Sequence, residues 1–165
     1  LRKRVPLVFH DGINPETENP VDDQSHQKFQ DSYLHIVAET FQESHPNRLF
    51  FSEKVFKPMW YMQPFILLGE PGALAKLHEF GYQTFGEYWD ESYDDIEDDE
   101  ERLKQALQTA KTLIQLSHAQ LHKLTQDVLP ILRHNLAHLS KRCLILDQEY
   151  VNALQYHLNP EKDNV

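Results

Sequence analysis

The chain reads as an α/β protein in which a small parallel sheet is followed by long helices. Three observations lead there. Two short apolar runs, Tyr33 to Ala38 and Phe65 to Gly69, are rich in strand formers and bounded by polar or turn residues, as strands of a buried parallel sheet are. Helical apolar spacing follows each run, and strand alternating with helix is the signature of a parallel layer. From Glu100 the apolar period changes for good, with Leu103, Leu107, Ala110, Ile114, Ser117, Leu121, Leu124 and Val128 stepping by four and three, which predicts one long amphipathic helix.

The elements follow in order. Residues 1–32 hold Pro6, Gly12, Pro15 and Pro20 among polar residues, so they read as loop and turn. A short strand is expected at Val5 to Phe9, and a helical turn near Ser25 to Asp31. Tyr33 to Ala38 is the first main strand, closed by Glu39 and Thr40. Phe41 to Asn47 is polar and ends in a turn. Ser52 is a natural helix N-cap, with Glu53 and Lys54 in the first turn and Val55, Phe56, Met59 and Trp60 behind them. Pro58 should limit or kink that helix. Phe65 to Gly69 is the clearest strand, and Glu70-Pro71-Gly72 turns out of it. Ala73 to Phe80 forms a helix with Leu74, Leu77 and Phe80 on one face, and Gly81 suits the position after its last turn. Tyr82 to Phe85 is expected as a third short strand. Pro130 should break the long helix, and Asp147 to Leu158 reads as a last short one.

Composition narrows the function. The 165 residues suit one domain, carry a formal charge of -10 and include one cysteine. Nine acids lie between Asp90 and Glu101 with no base among them, and the remainder is nearly neutral. A nucleic-acid-binding surface needs a basic field, so that class is set aside. The acid run lacks the spacing of an EF-hand loop. It reads as a solvated loop whose last members, Asp98 to Glu101, favour the positive end of the following helix. No apolar run is long enough for a membrane span, and the basic start has no apolar core behind it, so no signal peptide is expected. A lone cysteine fits a reducing, cytoplasmic setting, and Cys143 is expected as a small buried hydrophobe. The first residue is not Met, which reads as an excised fragment.

Motifs come next. No phosphate-binding glycine loop, nucleophile elbow or zinc-protease motif occurs. His118 with His122, and His134 with His138, stand four apart. Each pair shares a helix face, yet two ligands alone do not make a metal site. The informative residues are Ser52, Glu53 and Lys54, which place a hydroxyl, a carboxylate and an ammonium at a helix N-terminus. Free N–H groups and the helix dipole attract anions there, and a lysine suits a phosphate. The plainer reading of the same residues is a capped helix with both charges in water.

The runs Tyr33-Leu34-His35-Ile36-Val37-Ala38-Glu39-Thr40, Phe51-Ser52-Glu53-Lys54-Val55-Phe56-Lys57-Pro58, Gln63-Pro64-Phe65-Ile66-Leu67-Leu68-Gly69 and Leu77-His78-Glu79-Phe80-Gly81-Tyr82-Gln83-Thr84-Phe85 together resemble the C-terminal lobe of a group of glycosyltransferase-like proteins of bacteria, phages and large viruses. Trp89 to Asp98 and Arg133-His134-Asn135 extend the likeness, which covers roughly residues 31–135. More remotely the chain is similar to the α1,3-fucosyltransferases. The resemblance implies a single Rossmann-like GT-B half that holds a nucleoside diphosphate sugar as substrate, with no cofactor. It implies that Glu53 binds the donor ribose and Lys54 the diphosphate, that Ser52 stands for the usual threonine, that Glu39 lies at the strand end near the donor, and that Lys57 is a weaker phosphate contact. Residues 1–99 would be the nucleotide-sugar-binding lobe with its irregular N-terminal segment, and residues 100–165 a helical extension packed on it. A GT-B enzyme has two such lobes, so the acceptor lobe and its catalytic base are expected to be missing here. The competing readings are a non-catalytic interaction module, whose long helix meets a partner or a second copy through its apolar seam, and a metal-dependent hydrolase using the acid run or the histidine pairs.

Overall fold

A computed structural model describes Phe29, residues 31–39 and residues 50–158, with side chains as far as Leu144. The strand expected at Val5 to Phe9, most of the turn near Ser25 and the polar stretch from Phe41 to Asn47 lie outside the described residues. Within them the chain is α/β. Strand β1, His35–Ala38, pairs in parallel with strand β2, Phe65–Leu68, from His35 opposite Phe65 to Ala38 opposite Leu68. Parallel neighbours need a crossover, and helix α1, Glu53–Trp60, supplies it. Phe65, Ile66 and Leu67 are all buried, so β2 is covered on both faces, as its unbroken apolar run implies.

Helix α1 starts where Ser52, in extended conformation, accepts a hydrogen bond from the Lys54 amide. Pro58 lies inside it, and the helix ends two residues later at Trp60. Helix α2, Ala73–Glu79, is only seven residues long and is held at both ends by side chains from elsewhere. At its start the buried Asp94 carboxylate accepts from the amides of Leu74 at 2.9 Å and Ala75 at 3.1 Å. At its end His138 Nε2 meets the Phe80 carbonyl and His134 Nε2 the Gly81 carbonyl, both at 2.8 Å. These are the groups a short helix leaves unsatisfied, and an acid at the start suits its dipole. Asp94 sits in a 3₁₀ turn, Ser92–Asp95. The acid run is therefore not simply a solvated loop, because Asp94 is consumed in capping α2 and Glu91 in holding the loop before it.

Three helices close the described chain: α3, Asp99–Ile114; α4, His118–Asp127; and α5, Leu129–Leu158. The single helix expected from Glu100 to Val128 is two. Ser117 and Gln120 form a reciprocal capping box, which starts a new helix where the apolar steps run on. Pro130 falls in the first turn of α5, a place that tolerates its missing N–H. The expected last helix at Asp147 is the end of this 30-residue one. The seam is displaced too. Along α3 the buried residues are Arg102, Ala106, Ala110 and Leu113, while Leu103 and Ile114 are exposed.

The expected third strand at Tyr82 to Phe85 is absent. Those residues turn their backbone toward side chains: Gln83 exchanges two 2.8 Å bonds with the buried amide of Asn135 on α5, and the Phe85 amide donates to Glu91 at 3.0 Å. One apolar cluster joins both strands to all five helices' neighbourhood, running from Val37 through Val55, Leu77, Phe85 and Ala106 to Leu132 and Leu139. Cys143 lies on the surface, contrary to the buried role expected of it, because it falls in a stretch of α5, from Lys141 to Leu144, whose side chains are all exposed. Among the described residues no helix is long and apolar enough to cross a membrane.

Candidate functional site

The carboxyl edge of a parallel sheet is where such folds place ligands, and here it is built from β1, β2 and the start of α1. The Glu39 amide donates to the Leu68 carbonyl at 2.9 Å, which extends the ladder by one bond and sets Glu39 at the edge. Its side chain is 4% exposed. One oxygen, Oε2, accepts from the Ser52 hydroxyl at 2.5 Å and from the Ser52 amide at 3.2 Å. The same hydroxyl accepts from the Lys54 amide at 3.2 Å. Strand end and helix start are thus tied through one carboxylate and one hydroxyl. A carboxylate with two donors on it is a strong anchor, and the tie leaves the amino end of α1 facing the sheet edge.

Of the five residues singled out in the sequence, Glu39 and Ser52 are brought into direct contact, and Lys54 joins them through its backbone. Glu53 is exposed, while Lys54 and Lys57 are half-buried. Lys57 stands in the last turn of α1, away from the amides that start it. Glu39 is an internal strut, so a ligand would meet Glu53 first.

The other strand end has its own support, which sequence reasoning missed. Arg102 is buried, and its guanidinium donates to the carbonyls of Gly69 at 3.0 Å, Ile96 at 2.7 Å and Glu97 at 3.2 Å, and to Asp99 at 2.6 Å. It fastens α3 to the end of β2. Glu70, the next residue after Gly69, is buried as well. A β-carbon on Gly69 would stand 3.3 Å from that of Ala73, so the chain passes close to α2 there and a larger residue would press on it. A shallow depression lined by Gly69, Tyr93, Asp99, Arg102 and Leu103 opens beside this end of β2. Neither Ser52 nor Lys54 lines it. Burial, reinforced by the Glu91 charge, pushes the Tyr93 phenol well above its ordinary range, which keeps it neutral in that wall.

Three of the four paired histidines have other partners. His118 Nδ1 lies 3.0 Å from the Tyr33 hydroxyl, and His134 and His138 cap α2. Among the described residues no three His, Cys, Asp or Glu side chains gather as a metal site would need. A second hydrogen-bonded cluster, His78 with Thr84 and Glu91, was also missed. Thr84 and Glu91 lie in irregular chain between α2 and the 3₁₀ turn, where no periodicity signals a contact.

No family model, curated protein or solved structure matches this chain.

Proposed function

We propose that this chain is the donor-binding lobe of a glycosyltransferase-like protein, a Rossmann-like GT-B half that takes a nucleoside diphosphate sugar. The observation that carries the reading is the Glu39–Ser52 tie, which fixes the amino end of α1 at the carboxyl edge of a parallel sheet. The positive end of the helix dipole there suits a diphosphate. Lys54 adds charge to the same anion, and exposed Glu53 offers its carboxylate to the ribose hydroxyls. Departure of the diphosphate is then stabilised by fixed donors and an ammonium. The acceptor and its activating base come from a second lobe or a partner. A non-catalytic interaction module is the second reading, favoured by the burial of Glu39, whose tie to Ser52 also serves stability alone.

Thermal unfolding with UDP, GDP, ADP, CMP and their sugar conjugates tests it. A ligand at 100 times its dissociation constant adds about 2.7 kcal/mol to the native state. Stabilisation by one nucleotide class, lost in Lys54→Ala, is the expected result. A cooperatively melting wild-type sample that shifts with none of them overturns the reading in favour of the interaction module.

A further inference from the structure

We propose that His78, Thr84 and Glu91 form a proton-accepting site, in which Nδ1 of His78 is the base toward the hydroxyl group of a bound ligand. His78 is exposed on α2, and its Nε2 lies 2.9 Å from the Thr84 hydroxyl oxygen. That oxygen donates to Glu91 Oε2 at 2.7 Å. Glu91 Oε1 accepts from the Phe85 amide at 3.0 Å. The Thr84 side chain is 7% exposed, so its bonds are made inside the protein and not with water.

The direction of the chain follows from the inventory of donors. An ionised carboxylate only accepts, and a hydroxyl has one proton to give. Thr84 gives that proton to Glu91, so toward His78 it can only accept. Nε2 of a neutral His78 must then carry the hydrogen, and the lone pair is left on Nδ1, on the side of the ring away from Thr84. Imidazole held in one tautomer by a hydrogen-bonded partner, with a carboxylate behind to offset the charge it gains, is the arrangement of an effective base. In the step itself a ligand O–H bond breaks and its proton forms a bond to Nδ1. The oxygen keeps the electron pair. Nε2–H stays on Thr84, Thr84 stays on Glu91, and the new imidazolium is offset by the Glu91 charge one hydroxyl away. His78 is the base, and Thr84 and Glu91 are positioning residues.

Burial pushes the Glu91 carboxyl up, the Thr84 and Phe85 bonds and the His78 charge pull it down, and Asp94 pushes it up again. On α2 the flanking charges are Lys76 and Glu79, which pair with each other at 2.6 Å. The cluster lies on the outer side of α2 and the loop after it, and it does not depend on the donor-binding reading.

Two measurements test it on the full chain. Long-range nitrogen–proton NMR of the imidazoles should show neutral His78 with its hydrogen on Nε2. Diethyl pyrocarbonate labelling with peptide mapping should modify His78 severalfold faster than His122, which is exposed on α4. The excess should vanish in Glu91→Gln and in Thr84→Val and return in Thr84→Ser. A hydrogen on Nδ1, or a wild-type labelling rate at His78 no faster than at His122, overturns the proposal without any variant. A fast rate that survives Glu91→Gln in a folded protein shows that the cluster is only a loop clasp, and overturns it too.

Discussion

Two carboxylates from one acid-rich run, Glu91 and Asp94, show how far single residues depart from the charge pattern that contains them. Both are drawn into the protein to satisfy backbone amides, Glu91 at Phe85 and Asp94 at Leu74 and Ala75. Burial is the largest influence on each and pushes both above the usual carboxylate range, although their hydrogen bonds oppose it. A carboxyl whose pKa is higher folded than unfolded binds its proton more tightly in the native state. Its contribution to stability is fully present below the unfolded value, about 4, and is lost as pH rises through the elevated folded value. Glu91→Gln keeps an acceptor for Phe85 and removes the ionisation. The variant should therefore gain stability relative to wild type as pH rises from about 4 toward 7. Urea unfolding of both proteins across that interval measures the difference, and a gap that stays constant or narrows contradicts the assignment. Gly81 presents a different constraint. Its φ is +89°, and an added β-carbon would stand 2.9 Å from the His138 ring that caps α2. Gly81→Ala combines left-handed strain with that clash and should cost roughly 1–3 kcal/mol, read from a shift in the denaturation midpoint.

At the scale of elements, local signals and tertiary ones had different legibility. The two strands, the Ser52 cap and helix α2 could be read from sequence because neighbouring residues decide them: an apolar run, a hydroxyl before a helix, a glycine after one. Glu39 and Ser52 could be placed at one edge, since a strand end and the next helix start must meet there in a βαβ unit. The extra strand at Tyr82 to Phe85 could not be rejected that way. Its composition suits a strand, but its backbone partners are the side chains of Asn135, fifty-two residues along, and Glu91. The buried arginine on α3 was hidden for the same reason, because its carbonyl partners lie at Gly69, Ile96 and Glu97. The break between α3 and α4 was in fact legible as Ser117 with Gln120, and the continuing apolar steps outweighed it. Asn135 allows a direct check that side chains replace the ladder. Asn135→Leu keeps the volume nearly constant and strands the Gln83 N–H and C=O. It should destabilise the protein by about 2–4 kcal/mol, whereas a change under about 0.5 kcal/mol, typical of surface sites, would mean that water takes over both groups.

The whole molecule has only two described strands, too few to bury a core between themselves, so its stability must come from helices that arrive later in the chain. The boundary expected at residue 99 falls where the period of the sequence changes, and one apolar cluster takes residues from both sides of it. Ala106, Ala110 and Leu113 of α3 and Leu132 of α5 belong to the same apolar cluster as Val37, Phe65 and Leu77. Polar ties cross the boundary as well: Arg102 holds the end of β2, and Asn135, His134 and His138 hold the backbone from Phe80 to Gln83. Removing residues 100–165 would expose the inner face of β2 and leave the carbonyls of Gly69, Phe80, Gly81 and Gln83 without these partners. Each such loss costs on the order of 1 kcal/mol or more, against a total stability of only about 5–15 kcal/mol for a domain. The fragment 1–99 is therefore expected to show no cooperative melting and no defined near-UV signal. The full chain, whose Trp89 ring is buried against Phe85 at 4.7 Å, should unfold in one transition that coincides by tryptophan fluorescence and far-UV circular dichroism. Cooperative melting of the fragment, or two separated transitions in the full chain, would make the C-terminal helices an appendage. It would also detach Arg102 and α3 from any role in shaping the sheet edge on which Ser52 and Lys54 are presented.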